Sequence, residues 1–370
     1  MQTISSSDEL LALNFQVDGL LRQGGEPRLA AQLLPGRYGV SSHGAFTLKL
    51  GGPSPDPSRL TVELTGDPAG GTVLAGLPLT VHARELTLRR LSFVDAASGT
   101  AEHLSFGIGQ GALFDALVLR GNRTTAPFTS TLLQLTAGSG GPARTVAVRE
   151  SWFVGNRQHA EAVLFATRPT SAGVFAELSF TQCVFAGNDL TTAVLPLGVA
   201  AVSFTDSFVQ LDRGTPPAAP PAAPSPPGRL VPGGPPRPGR LPPGAQPPVA
   251  SRTPNEAAFV RRPSPDQRIA FSGCTLILDR WERLVTAPPV PPGVAGQPVL
   301  VEGCQVWLTD PTAPREPPPL IRLVGGEVRD GSALSVTGAA FGEALERLTA
   351  GDRAAGAAAR RELARLAGLP

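Results

Sequence analysis

Three arginines at repeating positions, Arg89, Arg120 and Arg149, are the residues best placed by type and spacing to face a ligand. On neighbouring copies of a repeat they form an outward basic stripe, the chemistry that holds anionic groups. No catalytic set joins them. Glycosidic cleavage needs two carboxylates brought together across the scissile bond, whereas Asp95, Asp189, Asp206 and Asp310 are scattered along the chain at or near turns. His43, His82, His103 and His159 are equally dispersed. There is no P-loop, dinucleotide fingerprint or HExxH metal motif, and no Ser-His-Asp set can be assembled from spacing. Cys183, Cys274 and Cys304 occupy one column of the repeat, with no His or carboxylate beside them to complete a metal site. They read as small buried thiols. Cys274 and Cys304 fall on adjacent copies, close enough for a disulfide but awkwardly oriented for one. The expectation is no catalytic residue, no metal and no cofactor.

The repeat that places these residues reads apolar-x-apolar, two residues, a small or apolar residue, one residue, a large apolar residue. Its copies are Leu86-Leu88-Leu91-Phe93, Ala112-Phe114-Leu117-Leu119, Val146-Val148-Ser151-Phe153, Leu178-Phe180-Cys183-Phe185, Val202-Phe204-Ser207-Val209, Ile269-Phe271-Cys274-Leu276, Val299-Val301-Cys304-Val306 and Leu334-Val336-Ala339-Phe341. Internal repetition marks one supersecondary unit stacked on itself. Alternation at period two puts residues i and i+2 on one face of a strand. Each copy therefore holds two short strands around a corner, and a third apolar piece, such as 104–108, 132–135, 163–165 or 320–324, precedes many of them. Five residues beyond the small position stand Asn122, Asn156, Asn188, Asp212 and Asp279. Asn and Asp tolerate left-handed backbone, which suits the turn leaving a strand.

Three stacked strands per copy resemble the right-handed parallel β-helix of the pectin-lyase-like group. The stretches 34–40 (LPGRYGV) and 71–94 (GTVLAGLPLTVHARELTLRRLSFV) look like its opening coils. The resemblance implies an all-β solenoid over 26–345, and it admits polysaccharide lyases, glycoside hydrolases and esterases as possible activities. The paired-aspartate and Gln-Asp motifs of the group's enzymes are absent here.

Composition limits the partners. The formal net charge of +2 gives no reason to expect nucleic acid or an anionic membrane. No run of ~20 apolar residues suits a membrane span, and the first residues lack the basic start and apolar run of a secretory signal. The cytoplasm is the expected compartment, with signal-less export compatible. Arginine greatly exceeds lysine, and Ala, Gly and Pro abound, the mark of a GC-rich bacterial genome.

The ends read as covers. Ser6 and Glu9 have capping-box spacing, so residues 1–25 should carry a helix over the first coil, with Leu10, Leu11, Leu13, Val17, Leu20 and Leu21 as its apolar face. Residues 346–370 form a helical tail, with candidate helices at 342–348 and 353–366, the second N-capped by Asp352. Its expected role is a C-terminal cap, with docking of another protein as the sharper reading. A Pro/Gly-rich insertion spans 213–267, since proline cannot sit in a central strand. The expected function is a non-enzymatic scaffold or binding protein that presents a strand face or its loop side to a protein partner. The alternatives are carbohydrate binding or polysaccharide degradation through Arg89, Arg120 and Arg149, and a structural role in a bacterial assembly.

Overall fold

The alternating apolar residues build three ladders of parallel strands, visited in the same order on every pass from Arg28–Leu33 to Gln305–Leu308. The computed structural model describes residues 1–22, 25–42, 44–51, 59–95, 97–98, 102–124, 131–138, 144–158, 163–171, 173–188, 192–211, 258–288, 296–334, 336, 357–367 and 369. The first ladder holds Leu48–Leu50, the starts of Leu79–Arg89 and Glu102–Asp115, then Thr131–Ala137, Val163–Arg168, Thr192–Pro196, Ala258–Arg261 and Val285–Thr286. The second holds Gln2–Ile4, Arg28–Leu33, Thr61–Thr65, the ends of the same two long strands, Arg144–Arg149, Phe175–Thr181, Val199–Thr205, Arg268–Ser272, Val299–Glu302 and Ile321–Val324. The third is a 10-stranded sheet running from Gly36–Tyr38 to Glu327–Asp330. The protein is thus β-rich, with mostly parallel strands and few helices, an arrangement consistent with a parallel β-helix.

The corner between the second and third ladders explains the repeat. From Arg89 onward it is always two residues long. Its first residue is left-handed on successive passes: Arg90 (φ 52°), Ala116 (53°), Glu150 (47°), Gln182 (57°), Asp206 (49°), Gly273 (62°), Gly303 (58°) and Gly325 (60°). From Arg90 to Gly303 each of these N–H groups bonds to the next pass, as in Ala116 N–H to Arg149 O (3.0 Å) and Gln182 N–H to Thr205 O (2.8 Å). The second corner residue is the small column of the repeat. Ser151 Oγ donates to Arg149 O (2.7 Å) and accepts from Leu117 N–H (3.1 Å). Ser207 does the same for Thr205 O (3.0 Å) and Cys183 N–H (3.1 Å), and Cys304 Sγ accepts Cys274 N–H (3.3 Å). The column therefore satisfies buried backbone donors that would otherwise cost ~1–3 kcal/mol each. All three thiols are free and buried. The hydrogen bond with Cys304, followed by burial, pushes the Cys274 thiol far above its usual range.

At the next corner the left-handed residue is glycine, not asparagine: Gly121 (64°), Gly155 (62°) and Gly187 (62°). This corrects the turn role read for Asn122, Asn156 and Asn188. Glycine carries the strain at no steric cost. The asparagine that follows is then free to turn inward and bond the asparagine of the next pass. Asp212 lies outside the described residues.

Inside, the large residues stack in columns. Phe180, Phe204 and Phe271 lie ring over ring, with centroids 4.9 and 4.7 Å apart, and Phe153 stacks on Phe185 at 4.7 Å. Phe259 abuts Phe185 and Phe204 edge-on or tilted. Such pairs add ~0.5–1.5 kcal/mol to the gain from burial alone.

At the start of the chain, α1 (Ser7–Arg22) buries Leu10, Leu13 and Val17. Ser6 Oγ accepts Glu9 N–H (3.2 Å), and the Glu9 carboxylate accepts Ser5 N–H (2.6 Å). Asn14 reaches the first strand of the first ladder: its Oδ1 accepts Lys49 N–H (2.8 Å) and its Nδ2 donates to Thr47 O (3.2 Å). A side-chain amide thus serves the otherwise open edge as a short stand-in strand.

Three features of the later chain differ from the sequence reading. Ala258–Arg261, inside the stretch read as insertion, is a strand paired to Thr192 and Val194. The last copy of the repeat is Ile321-Leu323-Gly326-Val328, whose strands end the second and third ladders. Leu334 and Val336 are not strand residues, and they pack with the outer face of the third ladder; Ala339 and Phe341 lie outside the described residues. The terminal helix α2 (Ala357–Leu366) sends Leu363 to the same outer face, joined by Ala367, among Val118, Trp152, Val184, Phe208, Ile277 and Trp307. The apolar alternation of the third ladder's outer residues selects this flank as its seat. Residues 342–348 and Asp352 lie outside the described residues.

Candidate functional site

The outer face of the second ladder is a regular surface that the described residues leave partly exposed. Strand alternation sets its three outward rows. The central row holds Glu63, Thr87, Leu113, Ala147, Ser179, Ser203, Ala270, Leu300 and Arg322. All but Arg322 are half-buried, and most are small, so the face is flat. The row beside the left-handed corner holds Thr65, Arg89, Asp115, Arg149, Thr181, Thr205, Ser272, Glu302 and Val324. The opposite row holds Thr61, Glu85, Gly111, Thr145, Glu177, Ala201 and Arg268.

Arg89 and Arg149 therefore share one row, with Asp115 between them. Arg120 belongs to the third ladder, between Val94 and Val154, and does not join them. Arg89 is partly neutralised: Asp115 and Glu63 each lie 3.9 Å from its guanidinium, and Glu63 also pairs with Arg28 at 2.8 Å. Arg149 stands exposed. So do Glu177, Arg268, Glu302 and Arg322, and among the described residues none of these five makes an ion pair. Glu177, Arg268 and Glu302 escaped the sequence reading because no motif marks them. Their only signal is outward parity on strands whose inward residues were already assigned.

The remaining candidates stay apart. His103 is 4% exposed in the first ladder, its Nδ1 has no hydrogen-bond partner among the described residues, and burial lowers its pKa to about 4. His82 is also lowered by burial and lies against Gly107, where a Cβ would come within 2.5 Å of its Nδ1. Asp310 is held at about 2 by hydrogen bonds from Thr312 and then from Arg280. Asp95 pairs with Arg37 at 2.8 Å. His43, His159 and Asp189 lie outside the described residues. Among the described residues no three His, Cys, Asp or Glu gather in a metal-binding arrangement, and no helix is long and apolar enough to cross a membrane.

No protein-family model, no curated protein and no solved structure matches the chain. The face carries groups that can hydrogen-bond, pack and form ion pairs. It offers hydroxyl and methyl groups on a rigid lattice at the ~4.8 Å strand spacing, bordered by charges of both signs.

Proposed function

We propose that the chain is a right-handed parallel β-helix and acts as a non-enzymatic scaffold or binding protein, presenting the outer face of its second ladder to a protein partner. The handedness follows the strong bias of connections between parallel strands. The observation that carries the function is the flat row Ala147, Ser179, Ser203, Ala270, flanked by exposed charges that make no ion pair among the described residues. Charges set at the rim of a flat patch specify a partner's register more than they add affinity. The polysaccharide reading rests on Arg149 alone, because Arg89 is matched by carboxylates and Arg120 faces elsewhere.

The test is affinity capture from the native cell, with the full chain beside a Ser203→Arg variant that roughens the centre of the face. A specific protein lost with the variant supports the scaffold. Cleavage or tight binding of acidic polysaccharide, with no protein captured, would replace it with the carbohydrate reading.

A further inference from the structure

The charges on this face are arranged so that the face complements itself. Taking the pass of Ala201, Ser203 and Thr205 as centre, Arg149 lies two passes before it and Glu302 two passes after it, in one row. In the opposite row Glu177 lies one pass before the centre and Arg268 one pass after. A two-fold axis in the plane of the face, parallel to the strands, keeps each row in place and reverses the order of passes. It sets Arg149 of one copy against Glu302 of the other, and Glu177 against Arg268. Asp115, three passes before the centre, then lies opposite Val324 and diagonally across from Arg322, both three passes after it. Each pairing occurs twice by symmetry. Turning the axis along the stack instead sets Arg149 against Thr145, Arg268 against Ser272 and Arg322 against itself, and matches only Arg89 with Glu85. The charge pattern thus favours the first geometry over the second.

We infer that the partner of this face is a second copy of the chain, joined face to face and antiparallel about the Ser203 pass. This rests on the scaffold reading of the same face and names its partner. The central residues suit it. Ala147, Ser179, Ser203 and Ala270 let two sheets approach to the ~10 Å of face-to-face packing. A two-fold interface of this kind is closed, with the same patch on both sides. Seven passes by four residues cover ~34 Å by ~13 Å. That is ~400 Å² per copy, against the ~800 Å² of a standard stable interface. The dimer is accordingly weak and depends on concentration and salt.

The experiment is sedimentation velocity on the full chain across a concentration series, at low and high salt, with thermal melts as the fold control. Dimer should form at low salt and dissociate at high salt. Arg149→Glu alone, and Glu302→Arg alone, should each weaken dimerisation by about tenfold or more, because each sets like charges opposite one another twice. The double variant Arg149→Glu/Glu302→Arg should restore it. A monomer under every condition, a dimer indifferent to both single reversals, or no rescue in the double variant would each overturn the inference. So would polygalacturonate binding to the monomer that Arg149→Glu abolishes and the double variant does not recover. A monomer that still captures a protein through this face would overturn the pairing and leave the scaffold standing. A monomer that captures nothing would end both.

Discussion

Asn122 donates its side-chain N–H to Oδ1 of Asn156 across 2.9 Å, and the same oxygen accepts the backbone N–H of Asn122 at 3.2 Å. Asn156 repeats both bonds to Asn188, at 2.9 and 3.0 Å. The second amide hydrogen of each finds a carbonyl one pass back: Phe93 O, Leu119 O and Phe153 O. An amide is the group that can do all this, since it presents an acceptor to one neighbouring pass and a donor to the other.

Replacing Asn156 by Leu keeps the volume and removes the relay. The N–H groups of Asn122 and the carbonyl of Leu119 lose their partners in a site that is almost wholly buried. The expected loss is about 2–4 kcal/mol, read as a lower urea midpoint at unchanged slope. A midpoint equal to that of the unaltered protein would show that the ladder contributes nothing net.

Phe204 stacks between Phe180 and Phe271 and also touches Phe185 and Phe259. Phe204→Ala should cost about 3–5 kcal/mol. Phe15, 74% exposed on α1, is the control, and its replacement by Ala should stay within about 0.5 kcal/mol. Equal losses at the two positions would contradict the stacking order described for the core.

The pH dependence follows from His103. Its folded pKa of about 4 lies below the 6.5 of an unburied histidine. Between those values the unfolded chain binds the extra proton, so stability rises with pH across this window. The contribution is fully present above pH 6.5 and is lost as pH falls to about 4, and it is worth about 3 kcal/mol. Chemical unfolding at a series of pH values should show this slope in the unaltered protein and a flatter profile in His103→Leu. Parallel profiles would contradict the burial argument.

Left-handed backbone at non-glycine corners is a source of removable strain. Ala116→Gly should stabilise by about 0.5–1 kcal/mol, and Gly303→Ala should destabilise by about 1 kcal/mol. At Gly303, as at Gly325, the effect is purely conformational, because a Cβ there meets no atom within 4 Å. Urea midpoints moving in these opposite directions check the assignment of the corner.

The second ladder, its corner and the third ladder were legible in the sequence because their lengths do not vary. Leu178, Phe180, Cys183 and Phe185 fall at the same offsets as Ile269, Phe271, Cys274 and Leu276. The first ladder was legible only in part, since the stretches before and after it change in length from pass to pass. Ala258–Arg261 was hidden at the edge of a proline-rich run. The last pass is hard to place from sequence because Leu334, Val336, Ala339 and Phe341 fit the pattern as well as Ile321, Leu323, Gly326 and Val328 do. The candidate face was legible least. A row such as Arg149, Thr181, Thr205, Ser272, Glu302 exists only across passes, and nothing in the linear order connects its members until the register is known. Arg120 shows the converse, because an arginine after an apolar strand looked equivalent to Arg89 and lies on another sheet.

The two-residue corner also makes the molecule modular. Cutting the chain after Cys183 and rejoining it at Phe208 removes one whole pass and leaves the corner Gln182-Cys183 leading into a strand of the same ladder. Every surviving strand regains a neighbour of its own kind. Rod length is then a quantised trait, adjustable in increments of ~4.8 Å by duplication or excision within the gene, and a lineage could vary it without redesigning the cross-section.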